Sequence, residues 1–337
     1  MQRESSNDPM APRAGATPTL CGSLASVTLM TNDADPAARF LEEAMQLRRA
    51  RDERPVGAEA IASRELWHLP DSADWRELEF ASAHPGSRVT VRVIVMPGGD
   101  LIRPGMESRL NGGLSIGFPV RSLEQTLEQF TALGIESTAG IVPLTITRPD
   151  GSSYVSGEIL FRGPEQTYML VVGRPADMAP VGPIDPASGM GGPAYSAIVV
   201  TDASREIAFY RDVLGWEARQ DIVLTTSGPA GGLGLEAGTQ FRFVQLFAPG
   251  ATSGYICLLD MLAVSRPNPV TPRLPNRGLV MWTFRTHAFD AVLDKARAHA
   301  ALTRSPPPRV AGALGQRRLT ALSPAGIMIE VCETPLD

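Results

Sequence analysis

The sequence predicts an α+β protein built from four β-α-β-β-β units paired into two halves. Three observations carry this. The plan of Ala194–Leu214, an extended apolar run, a Thr-Asp turn and an amphipathic helix, recurs at Ala25–Met45. Asp33 and Asp202 lie 169 positions apart, as do Phe40 and Phe209. Recurrence over so long a period points to duplication. Each such unit is followed by several strand-like runs before the next helix, which excludes a doubly wound βαβα sheet.

In chain order, residues 1–22 read as a flexible tail without the apolar core of a secretory signal. The first unit has a strand at 23–30 and a helix at 35–47, with Asp33 or Asp35 as N-cap. Residues 48–74 read as polar and irregular, with one short strand near 66–69. A hairpin at 76–82 and 88–96 turns through Pro85 and Gly86. The second unit has a strand at 114–120, a helix at 122–133 closed by Gly134, and extended runs at 141–147, 154–161 and 167–172. Residues 173–193, dense in Pro and Gly, read as an interdomain linker. This divides the chain into an N-terminal domain, 23–172, and a C-terminal domain, 194–337. The third unit begins at Ala194, with later strands at 240–247 and 254–262. The fourth has a strand at 279–285, a helix at 288–300, a Pro-rich loop, and strands at 316–322 and 327–331.

Composition narrows the function. The 337 residues suit two cores, and 43% apolar with 20% charged residues is ordinary for a globular protein. A net charge of −5 gives no electrostatic reason for nucleic acid or an anionic membrane as partner, and no apolar run reaches the length of a spanning helix. Three cysteines without CxxC spacing fit idle thiols in the cytoplasm.

The text IVVTDASREIAFYRDVLGW, with FAPGATSGYICLLD and SPAGIMIEV, resembles the vicinal-oxygen-chelate superfamily. It includes glyoxalase I, extradiol dioxygenases and bleomycin-resistance proteins. The resemblance is strongest over 194–333 and weaker over 23–172. It implies that paired units curl into two cup-shaped sheets with a site inside a cup. It also implies a divalent metal held by His, Gln or Glu on the first strands and Glu on the last strand of a unit. In the C-terminal half these positions fall on Tyr195, Met281 and Glu330, so only Glu330 keeps a ligand type. In the N-terminal half they fall on Ser26, Ser115 and Leu170. None of the four histidines, His68, His84, His287 and His299, occupies such a position.

The expectation is therefore a metal-independent lyase or isomerase without cofactor, acting in the C-terminal cup on a small hydrophobic or aromatic substrate. Glu330 is the general base, its pKa raised by apolar surroundings, and Tyr195 the hydrogen-bond donor. Met281, Thr283, Arg285, Met328, Cys332 and Asp260 are candidate substrate contacts. Two other readings stay open: a cup that sequesters a hydrophobic molecule without chemistry, and a metal-dependent extradiol-type dioxygenase with atypical ligands. His68 is a candidate acid or base of the N-terminal cup, and Glu77 and Glu79 read as a solvated face. A homodimer is compatible with exposed sheet edges.

Overall fold

A computed structural model describes residues 19–147, 151–227, 231–299, 309–311 and 316–334. Most of the predicted tail and the Pro-rich loop of the fourth unit lie outside the described residues. The first module contains β1 (Leu24–Thr31), α1 (Ala34–Arg39, continued by a π-helical turn to Ala44), β2 (Arg48–Glu53), α2 (Gly57–Trp67), β3 (Arg76–Ala81) and β4 (Thr90–Val95). The second has β5 (Gly112–Pro119), α3 (Leu123–Ala132), β6 (Val142–Thr147), β7 (Ser153–Arg162) and β8 (Tyr168–Gly173). The third has β9 (Tyr195–Val200), α4 (Ala203–Phe209, with a π-helical turn to Leu214), β10 (Glu217–Ser227), β11 (Ala237–Phe247) and β12 (Tyr255–Asp260). The fourth has β13 (Gly278–Thr286), α5 (Phe289–Ala298), β14 (Arg309–Ala311), β15 (Gln316–Leu322) and β16 (Met328–Glu333).

Local chemistry sets the helix starts. The Asp33 carboxylate accepts from the Asp35 amide at 3.1 Å, the Asp202 carboxylate from Arg205 at 3.1 Å, and the Ser122 hydroxyl from Gln125 at 3.2 Å. Each satisfies a first-turn donor that the helix itself leaves free. The stretch read as irregular, 48–74, instead holds β2 and α2; the Ala, Glu, Arg and Leu of α2 are good helix formers.

The four modules form two curled eight-stranded sheets, ordered β14-β15-β16-β13-β1-β4-β3-β2 and β10-β11-β12-β9-β5-β8-β7-β6. The first therefore joins modules 1 and 4, the second modules 2 and 3. In every module the first strand runs parallel to the last, and the two modules of a sheet meet at antiparallel first strands, β1 with β13 and β5 with β9. The sheets do not divide at the boundaries 23–172 and 194–337, since each half supplies one module to each sheet. Residues 173–193 connect β8 to β9 within one sheet, and 97–111 and 261–277 pass between sheets.

Side-chain fit supports this partnering. The Tyr195 ring fills the space above Gly117 of the facing strand, where any Cβ would collide with it. Gly113 lets β5 approach Leu279 and Trp282 of the other sheet equally closely. Alternation then sorts the residues of each strand. On β16, Ile329 and Val331 join the large core shared by both sheets and four helices, whereas Met328 faces the first cup. On β9, Ile198 and Val200 face that core, and Tyr195, Ala197 and Val199 face the second cup.

Candidate functional site

The predicted trio does not converge. Met281, Met328 and Glu330 line the first cup, and Tyr195 lines the second. The reason is the module pairing: β13 and β16 lie beside β1, whereas β9 lies beside β5.

The first cup is filled. Helix α2 lies in it, with Trp67 and Trp75 packed at 5.5 Å and Met281 and Met328 among their neighbours. Arg318 donates to Ser63 at 2.8 Å and Thr320 to the Leu66 carbonyl at 2.8 Å, tying α2 to the cup wall. At the bottom Glu330 is fully buried. One of its oxygens accepts from Arg92 at 2.9 Å and from Thr283 at 3.0 Å, the other from the Trp67 indole at 3.2 Å. Arg92 also donates to Thr28 at 3.0 Å and lies over the Trp67 ring at 5.4 Å. Burial alone would raise the Glu330 pKa. The Arg92 and Arg318 guanidinium groups outweigh it and hold the carboxylate down at about 2. Glu330 is thus a permanently ionised structural anion, not the raised general base expected. A cavity of only about 10 Å³ remains beside Met328, bordered by His68, at most the space of a single water.

The other first-cup candidates follow suit. Thr283 serves the ion pair. Cys332 is beside it, its thiol pushed up to about 12 by burial. Arg285 is exposed at the rim. Asp260 faces away from both cups, accepting from the Ala203 and Leu262 amides at 3.1 and 3.0 Å. Glu77 is buried and bonded to Trp75 and Arg51 at 2.8 Å each, which corrects the solvated-face reading. His68 ends α2 in a left-handed conformation.

The second cup is open and holds a cavity of about 400 Å³. Its wall is largely apolar, and the stacked rings of Tyr255 and Tyr195, with centroids 4.9 Å apart, form part of one side; Phe247 backs Tyr255 at 4.3 Å. Among the described lining residues there is one acid, Glu158, and one cation, Arg174. Glu158 sits mid-strand on β7, between Val142 of β6 and Val172 of β8. No hydrogen bond or ion pair joins it to another described residue, and burial in this apolar wall pushes its pKa up to about 7. Burial likewise pushes the Tyr195 and Tyr255 hydroxyls and the Cys257 thiol up, so all three stay protonated at neutral pH. Ser115, on the central strand, has a buried hydroxyl with no partner.

Glu158 went unnoticed in the sequence because its run, Tyr154–Phe161, reads simply as a strand. The available signal was alternation: Glu158 shares a face with Leu160 and with the buried Ser156.

Neither cup offers the donor set for the divalent metal that the resemblance implies. In the first, the Arg92 guanidinium already satisfies the one retained carboxylate. In the second, the corresponding strands present Ser115, Leu170, Tyr195 and Cys257, and the one acid among the described lining residues, Glu158, lies on a different strand. Among the described residues no three His, Cys, Asp or Glu side chains come together as ligands. No helix among them is long and apolar enough to cross a membrane.

Residues 192–331 match the Glyoxalase/Bleomycin resistance protein/Dioxygenase superfamily. Glyoxalase I from Zea mays superposes with a TM-score of 0.61 at 12% identity, covering 92% of each chain. A putative dioxygenase from Bacillus subtilis superposes with a TM-score of 0.58 at 12% identity, covering 94% of this chain and 87% of its own. At such identities the likeness shows a shared fold. No curated protein sequence matches the chain.

Proposed function

From a chain of two-cup vicinal-oxygen-chelate fold, whose residues 192–331 belong to the glyoxalase/bleomycin resistance/dioxygenase superfamily, we propose a proton-transfer enzyme, an isomerase or lyase that works without a metal. Its site is the second cup and its substrate a small apolar carbon acid. The observation that carries this reading is Glu158, a carboxyl with no partner among the described residues, in the wall of a cavity of about 400 Å³.

A carboxyl with a pKa of about 7 is populated in both forms at neutral pH, so it can take a proton and return it. Ionised Glu158 removes a proton from the carbon beside a substrate carbonyl. Negative charge then develops on the carbonyl oxygen. The protonated Tyr195 hydroxyl, on the same cavity wall and within electrostatic reach of Glu158, donates a hydrogen bond to that oxygen. Returning the proton to a different carbon completes an isomerisation. Expelling a leaving group from the neighbouring carbon, with Glu158 keeping the proton, completes an elimination. The apolar surroundings withhold part of the solvation that would otherwise lower the basicity of the carboxylate.

The test is hydrogen exchange in deuterated water with a panel of aryl ketones, read by NMR at the carbon beside the carbonyl. Wild-type protein is expected to catalyse exchange, and Glu158→Gln to lose it by about 100-fold or more, the usual weight of a general base. Undiminished exchange in Glu158→Gln refutes the reading. Binding with no exchange in either protein leaves a sequestering cup in its place.

A further inference from the structure

Arg174 is the second charged group of the open cup, and its placement bears on what enters. It lies just beyond the end of β8, half-buried at the cavity edge, over the Tyr154 ring at 5.8 Å. One guanidinium nitrogen donates to the Ala179 carbonyl at 3.0 Å, which holds the side chain in place. No carboxylate among the described residues pairs with it. Its charge reaches the Tyr195 and Tyr255 hydroxyls. Glu158 faces Val172 across the strand ladder, two positions from Arg174 on the same face, yet no ion pair among the described residues joins the two.

A guanidinium facing an apolar cavity without a counter-ion is poorly compensated, and an anionic ligand group supplies what the wall lacks. We propose that the second cup takes an aromatic acid: an apolar ring system bearing one anionic group, with the anion on Arg174 and the ring system along the aliphatic wall toward Glu158. The volume fits, since about 400 Å³ equals the space of roughly a dozen waters, enough for a two-ring body. The Tyr195 and Tyr255 rings in the wall suit an arene better than a flexible chain, because aromatic pairs gain beyond the area they bury. This assignment rests on the second cup being the functional site, and it adds to the proton-transfer reading a fixed orientation for the substrate.

A matched pair of fluorescent probes tests it: anilinonaphthalenesulfonate, an arene with one anionic group, and phenylnaphthylamine, the same arene without it. Titrated into the full chain, the sulfonate is expected to bind at least about tenfold more tightly. Arg174→Gln should abolish that preference, and Arg174→Lys should restore part of it, with circular dichroism confirming that both variants fold. Filling the cup by Ala197→Trp should remove both probes, which separates cavity binding from surface binding. Equal affinities for the two probes, or a preference that survives Arg174→Gln, overturns the proposal. So does a failure of either probe to respond to Ala197→Trp. Glu158→Gln should keep the anion preference. Its loss of exchange tests catalysis alone, so the two readings can fail separately.

Discussion

The two cups share a strand order and a module plan, and they hold opposite contents. In the first, a helix and two tryptophans fill the bowl, and Glu330 at its base is locked to Arg92 and held ionised. In the second, the bowl is hollow, and the one acid among its described lining residues has no partner among them and is pushed toward the neutral form. A carboxylate bound by a guanidinium and two other donors, with a second guanidinium 3.6 Å away, is chemically spent. An unpaired carboxyl facing a cavity is available. The difference teaches that retention of a family's carboxylate does not by itself mark a working site. Glu330 stands where the resemblance places a ligand, and Arg92 takes the role of its cation.

The largest expected effect comes from breaking that substitution. Arg92→Met leaves Glu330 buried without its main counter-charge. It should lower unfolding free energy by about 3–5 kcal/mol in urea titrations. The double variant Arg92→Met, Glu330→Leu removes both charges and should recover most of the loss. Probe binding in the second cup should survive in the double variant. Equal stability of wild type and Arg92→Met would mean that the first cup is closed by packing alone.

Much of this architecture was legible in the sequence. The strand–Asp–helix repeat located β1 with α1 and β9 with α4, and both aspartates do cap. The order of elements predicted four modules. The pairing of modules was not legible, because each presents a similar first strand and any two can in principle meet along it. What decides between them is contact at distance: the Tyr195 ring over Gly117, and the long segments that carry the chain between sheets. The wrong partner for β9 then brought Tyr195 and Glu330 together on paper. The site suffered further because a ligand-type residue draws attention by its position. Glu158 lies off the family's ligand strands and is distinguished only by what surrounds it. Likewise α2 was missed because its polar face reads as a loop, although its buried side carries Leu66 and Trp67.

A smaller effect tests the seam that forms the open cup. Gly117→Ala puts a methyl group where the Tyr195 ring lies. The ring must turn toward the cavity or β5 and β9 must separate. Overpacking of this kind costs about 1–3 kcal/mol. The displaced ring should also weaken probe binding, whereas the same stability loss introduced in the first cup should not. Unchanged stability and binding in Gly117→Ala would show that β5 and β9 do not hold this register.

The smallest effect distinguishes the cups by the sign of their pH dependence. The Glu330 pKa is about 2, below the ordinary value of 4.5, so its contribution to stability is present above 4.5 and is lost as pH falls toward 2. The Glu158 pKa is about 7, above that value. Below pH 4.5 the carboxyl is neutral in both folded and unfolded states. Between 4.5 and 7 the unfolded chain ionises first, so stability falls as pH rises through this window. Contact with solvent in the cavity limits the second effect to about 1 kcal/mol. Glu206, on the buried face of α4 and likewise raised to about 7, adds a slope of the same sign. Thermal melts from pH 5 to 8 should therefore decline in the wild type, and Glu158→Gln should flatten the decline without removing it. Between pH 2 and 4, Glu330→Gln should be the variant that alters the slope, and Glu158→Gln should follow the wild type. If Glu158→Gln instead changes only the acid limb, its carboxyl is paired like Glu330, and the contrast between the cups fails.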